Sequence, residues 1–196
     1  MSTTLGQIAA LRAGYPFRSS IQHDPDGTVA LIQGRDVDAD RLRVAPAQDG
    51  LAQINSSGIR NLSDHLLQPG DVILMARGPR NYAVPIGETR GPAIVPGSFH
   101  VLRPDTELVF PPFLAWWLNQ DASQQFMRTN NSGTTIPMIS LDVLRALPVQ
   151  LPPIDVQRRV AELNSLIEQE QNLMNQLSTA RRDLLRGWAN QNTAHV

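Results

Sequence analysis

Apolar positions recur at steps of three, four and seven through the last quarter of the chain: Val156, Val160, Leu163, Ile167, Met174, Leu177, Leu184 and Trp188. That is close to the 3.5-residue spacing of a coiled-coil seam. The stretch opens with Pro152-Pro153, carries no later proline and meets its first glycine at Gly187. The pattern therefore predicts one uninterrupted helix over about residues 153–190. At 1.5 Å per residue it is roughly 50 Å long. One small domain cannot cover such a helix, so it projects or pairs with another helix. Glu170 and Arg181 put charge on the stripe, where they either set register and orientation or mark where pairing stops.

Upstream, short apolar runs alternate with glycine and proline turns. Leu5, Ile8 and Leu11 predict a helical turn within residues 3–13. Strands are predicted at residues 28–33, 72–76, 82–86, 93–95 and 99–103, with residues 36–40 as an acidic, exposed segment. Pro111-Pro112 starts a helix whose apolar face is Phe113, Leu114, Trp116, Trp117, Leu118, Phe126 and Met127. Neighbouring helical residues point about 100° apart, so one of Trp116 and Trp117 packs inside and the other covers a rim or partner. A polar loop at residues 130–135 ends this helix. A short strand at 136–139, a helical turn capped by Ser140 and a last strand at 147–151 follow. The fold class is α+β: a compact domain over residues 1–151 with a twisted mixed or antiparallel sheet, then one long helix over 152–196.

Composition narrows the chemistry. All 17 basic residues are arginine, so any reaction needing a lysine amine is excluded. There are no cysteines, which removes disulfides and thiolate metal sites. The four histidines are scattered without metal-ligand spacing, and no cofactor is expected. The longest apolar run, residues 108–118, is short and interrupted by two prolines, so no membrane span is expected and the protein is placed in the cytoplasm. The net charge of −1 gives no support by itself to nucleic-acid binding.

Catalytic motifs fail on inspection. Phe110-Pro111-Pro112-Phe113 is like the amino-methyltransferase motif, but Phe110 stands where a polar side chain must accept from the exocyclic amine. Pro104-Asp105-Thr106-Glu107 hints at a nuclease signature without its lysine. The chain is expected not to be an enzyme. The stretch over residues 77–81 places Arg77, Arg80 and Asn81 between two strands, groups that can reach guanine, adenine or phosphate. Read locally, an ordinary solvated turn is the favoured reading. Asn130, Asn131, Thr134 and Thr135 form a second hydrogen-bonding loop that also reads as a helix end and turn. Arg35 and Arg60, in other loops, complete the candidate DNA contacts.

Several features stand in one order: Leu5-Gly6-Gln7-Ile8, then Gly34-Arg35-Asp36-Val37, Leu67-Gln68-Pro69-Gly70-Asp71-Val72-Ile73-Leu74, and Pro112-Phe113-Leu114-Ala115-Trp116-Trp117-Leu118-Asn119. Ser132-Gly133-Thr134-Thr135-Ile136-Pro137-Met138-Ile139-Ser140 follows, and Leu147-Pro148-Val149-Gln150-Leu151-Pro152-Pro153-Ile154-Asp155-Val156-Gln157 closes the series. The set resembles the specificity subunit of type I restriction–modification systems across nearly the whole chain. Typical members have two recognition domains and two long helices; this chain resembles a half-subunit with one of each. The resemblance implies a non-catalytic protein that binds double-stranded DNA by sequence and docks a separate methyltransferase subunit, with a restriction subunit as a further partner. It implies that residues 1–151 recognise the target and that the long helix serves dimerisation and docking. A homodimer would then read an inverted repeat with a spacer. The competing reading is a non-catalytic assembly or regulatory protein of another defence system, acting through the helix without sequence-specific DNA binding. Residues 1–150 hold 12 arginines against 13 acids, so positive charge must be concentrated on one face or be supplied by a partner.

Overall fold

A computed structural model of the chain describes residues 2–18, 23–38, 43–44, 50–78, 80–131 and 137–193. Strand β1 (Ser2–Thr4) runs into a single helical turn, α1 (Leu5–Ile8), and then β2 (Ala9–Ala13). This differs from the predicted helical turn over residues 3–13: Ala9 leaves the helix with extended dihedrals, and β2 joins a sheet as the antiparallel neighbour of a later strand. Next come β3 (Val29–Leu31), β4 (Val37–Asp38), β5 (Arg43–Val44), β6 (Ala52–Ile54), the short helix α2 (Leu62–His65), β7 (Val72–Met75), β8 (Ala83–Pro85), β9 (Ala93–Ile94) and β10 (Phe99–Pro104). Helices α3 (Pro111–Asn119), α4 (Asp121–Asn130) and α5 (Leu141–Arg145) precede β11 (Pro148–Gln150) and the 40-residue α6 (Ile154–Thr193).

The main sheet has the order β2-β10-β7-β8 and is antiparallel throughout. Val72, Ile73 and Leu74 are buried on both faces of β7, which explains a near-continuous apolar run at an interior strand. One face packs on α3, α4 and α5 through Leu74, Leu102, Leu114, Leu118, Met127 and Leu144. The other packs on a smaller sheet, β6-β3-β9, through Ile73, Val84, Phe99 and Val101. The β3–β9 pair is parallel, so the β content is mixed as expected. Strand β1 pairs with β11, tying the chain's start to the strand that feeds the long helix.

Three further departures from the sequence reading have local causes. The helix after Pro111-Pro112 is two helices, parted at Gln120 in an extended conformation. Asn119 causes the break: its amide accepts from Ala83 N at 2.9 Å and donates to Ala83 O at 2.8 Å, binding the helix end to β8. Asp36 is buried, not exposed; its carboxylate accepts from Gln33 N at 2.9 Å and closes the turn over Gly34–Asp36. The strand expected at 136–139 is, among its described residues, one bridge between Met138 and Arg77. Of the two tryptophans, both half-buried, Trp117 packs on the main core and donates its indole N–H to Pro148 O at 3.2 Å.

His100 lies inside β10, 2 % exposed, with Nε2 2.8 Å from Ile139 O and no partner for Nδ1. Burial pushes its pKa below the ordinary histidine value, against the smaller opposing effect of the Ile139 bond. His65 is lowered too, by burial and then by Arg12. The unfolded chain therefore takes up these protons first, and stability is present above the unfolded pKa of about 6.5 and lost as pH falls below it. Denaturant titrations between about pH 8 and pH 5 are expected to show this decline. His100→Gln should flatten it; an unchanged slope would place its origin elsewhere.

Candidate nucleic-acid interface

The connection between β7 and β8 is braced by hydrogen bonds from both sides. Met75 N donates to Tyr82 O at 2.9 Å and closes it across the hairpin. Gly78 sits at φ +124°, a conformation in which a side chain would be strained. Its N–H donates to Pro137 O at 3.0 Å, and Ile139 N donates to Ala76 O at 3.0 Å, so the segment over residues 137–139 holds it from one side. Gln124 of α4 holds it from the other, donating to Asn81 O at 2.6 Å and Leu118 O at 2.8 Å.

Within this frame Arg77 and Arg80 are exposed and Asn81 is not. Asn81 is 3 % exposed and donates Nδ2–H to Met75 O at 2.8 Å, so its amide shapes the loop from within. Asn131 donates to Asn81 Oδ1 at 3.4 Å, which brings the two loops together. Asn130 is exposed, but its amide donates back to Phe126 O at 2.8 Å and terminates α4. Thr134 and Thr135 lie outside the described residues.

Arg35 joins this end of the domain. A Cβ on Gly34 would stand 3.1 Å from Met75 Cε and 3.9 Å from the Tyr82 hydroxyl, so the turn carrying Arg35 abuts the residues that close the hairpin. The Arg35 side chain is 70 % exposed, with Nε 3.9 Å from Asp36 Oδ1. Arg80 acts on the same Tyr82: burial raises the phenol's pKa and the Arg80 charge opposes that rise. Arg60 is not brought here. Its backbone N donates to the Tyr15 hydroxyl at 3.3 Å, in a cluster with Phe17, Ile59 and Leu62. Three exposed guanidinium groups on a braced hairpin and its neighbouring turn can bind a guanine edge or phosphates with little further ordering. Gln124 was not legible as part of this frame, because the backbone it supports lies 43 residues away in sequence.

A second surface is the long helix. Gln157, 1 % exposed, anchors its base: Oε1 accepts from Phe110 N at 2.8 Å, and Nε2 donates to Leu108 O at 3.0 Å and Pro152 O at 2.9 Å. The Arg158 guanidinium stands 4.8 Å over the Phe110 ring. Val156 and Val160 are half-buried at this base, and Val160 lines a groove of about 490 Å³ with Phe113, Trp116, Trp117 and Leu151. Beyond Ala161 the apolar stripe is open: Leu163, Ile167, Met174, Leu177, Leu184 and Trp188 are all at least 44 % exposed. Leu166, Leu173 and Leu185 widen it. Among the described residues no group of acidic or histidine side chains is arranged to hold a metal ion, and no helix is long and apolar enough to cross a membrane.

Comparison with known proteins gives one family. The model described as type I restriction modification DNA specificity domain matches residues 1–179. No curated protein matches. Among solved structures, the HsdS subunit from Thermoanaerobacter tengcongensis is similar at TM-score 0.66 and 17 % identity, over 93 % of this chain and 46 % of that one. A chain from a structure of type I R–M complex assembly and conformational transition is similar at TM-score 0.69 and 19 % identity, over 95 % and 42 %. The S subunit from M. genitalium gives TM-score 0.58 and 15 % identity, over 93 % and 42 %. The chain thus spans less than half the length of these structures, and at such identities the likeness is one of fold.

Proposed function

We propose that this chain, which belongs to the type I restriction modification DNA specificity family, reads a defined base sequence and presents it to a separate methyltransferase subunit. The family is one of DNA recognition and is non-catalytic. What supports the finer reading is the reach of the family match from residue 1 to 179, which takes in both the arginine-bearing hairpin and most of the long helix. Residues 1–151 then form the recognition domain, with Arg77, Arg80 and Arg35 toward DNA. The helix within residues 152–196 carries the docking surface and pairs with a second copy, so that two domains read an inverted repeat across a spacer. A restriction subunit is a further partner, and the site of action is the cytoplasm.

The direct test is selection of duplexes from a random library by the purified protein, alone and with its methyltransferase, at two salt concentrations. Enrichment of one bipartite motif, weakened by salt, is the expected result. If no sequence is enriched under any condition, the protein acts through its helix without reading DNA. Arg77→Ala and Arg80→Ala sharpen the test. A guanidinium on a guanine edge should cost about 1–3 kcal/mol on removal and relax preference at one position. Equal weakening on every sequence would mean phosphate contacts instead.

A further inference from the structure

We infer that the exposed face of α6 specifies its own partner: a second copy of the helix, antiparallel, on a two-fold axis between Asn175 and Gln176. This rests on the pairing reading above, in the antiparallel sense that the family resemblance implies, and adds its register. The open stripe advances from Leu163 to Ile167, Glu170, Met174, Leu177, Arg181, Leu184 and Trp188 in strictly alternating steps of four and three. It therefore forms two columns of a heptad seam: Leu163, Glu170, Leu177 and Leu184 in one, Ile167, Met174, Arg181 and Trp188 in the other. All eight side chains are exposed. Among the described residues, neither Glu170 nor Arg181 makes an ion pair within its own chain.

A perpendicular two-fold axis brings together residues equally far from it. With the axis between Asn175 and Gln176, Leu163 meets Trp188, Ile167 meets Leu184, and Met174 meets Leu177 across the pair. Glu170 then meets Arg181, and this happens twice. Every layer joins one column to the other, and the only charged seam positions neutralise each other. The parallel alternative, with its axis along the helices, sets each residue against itself. It would stack Glu170 on Glu170 and Arg181 on Arg181, two like-charge layers in an apolar seam. A shift of one heptad in the antiparallel pair would set both charges against leucine or another apolar residue. The charges thus select orientation and register, while the apolar layers hold the pair together. In this register the two Ile154 ends lie about 65 Å apart along the common axis, which sets the reach of the ruler.

Dimer dissociation measured by ultracentrifugation tests the register. Glu170→Arg and Arg181→Glu should each weaken the dimer at least about tenfold, and the double exchange should return it to within about threefold of the parent. Because the chain has no cysteine, cross-linking reports orientation directly. A mixture of Leu163→Cys and Trp188→Cys chains should form disulfide dimers, and Leu163→Cys alone should not, since its two sulfurs would be about 38 Å apart. Single exchanges without effect, no rescue by the double exchange, or cross-linking of Leu163→Cys alone would overturn the register. A parent chain that stays monomeric at micromolar concentration overturns the pairing itself. A dimer lost on Leu163→Asp but indifferent to the charge exchange would leave pairing standing and sink only the register.

Discussion

Replacing Asp71 by alanine is expected to lower the unfolding free energy by about 3 kcal/mol, among the largest single-site effects in this domain. Asp71 closes the turn that begins at Gln68 and opens β7; Gly70, at φ +91°, makes that turn possible. The carboxylate is 1 % exposed and both of its oxygens accept hydrogen bonds. Oδ1 accepts from Arg103 Nε at 2.7 Å, and Oδ2 accepts from Arg103 at 2.8 Å and from Gln68 N at 2.8 Å. Arg12 stands behind it, donating to His65 O at 3.1 Å and Leu66 O at 3.0 Å, and Arg103 also reaches Leu66 O at 3.3 Å. One acid thus ties β10 to the entry to β7, and its charge acts on Arg12, which joins β2 to the end of α2. Alanine leaves two guanidinium groups and a turn N–H without it. For a chain of this size the loss is worth roughly 6–12 °C in melting temperature. A shift below about 2 °C would show that water or Arg12 rearrangement replaces the carboxylate.

Gln157→Leu is the second large effect expected, at about 3–5 kcal/mol. Leucine fills similar volume but leaves Phe110 N, Leu108 O and Pro152 O without the side-chain partner that joins them. Gln157→Glu should be no milder, because a carboxylate cannot donate to the two carbonyls and would face them with charge. That comparison separates hydrogen-bond polarity from packing: a mild glutamate variant would mean that shape alone holds the helix. The consequence reaches function. These three bonds set the angle at which α6 leaves the domain, so amide exchange at Phe110 should accelerate, and a dimeric assembly should show a broader spread of separations in small-angle scattering.

Much of the scaffold is visible in local pattern. The runs at residues 72–76 and 99–103 are strands within one residue of their expected ends, and Ser140 caps α5 by accepting from Val143 N at 3.3 Å. Where local pattern misled, a distant partner intervened. Asn119 ends α3 because Ala83, 36 residues earlier, takes both halves of its amide. Asn81 has the side chain of a base reader, yet folding turns it toward Met75 O. Asp36 looks like one of several surface acids until its bond to Gln33 N is seen.

The long helix and its stripe from Val156 to Trp188 follow from sequence alone, because helix geometry depends on neighbours three and four residues apart, whereas the half-burial of Val156 and Val160 at its base does not. The exclusion of lysine and thiol chemistry follows from composition in the same direct way. Tertiary structure decided which of the candidate arginines lie near one another. Arg35 and Arg80 come to one end of the domain only because the turn at Gly34 packs on Met75 and Tyr82, while Arg60 goes to the Tyr15 cluster. It also decided the roles of Asp71 and Gln157, whose partners lie 32 and 47 residues away. Contacts across such separations come from the packing of sheets and helices on each other, and no period along the chain encodes them.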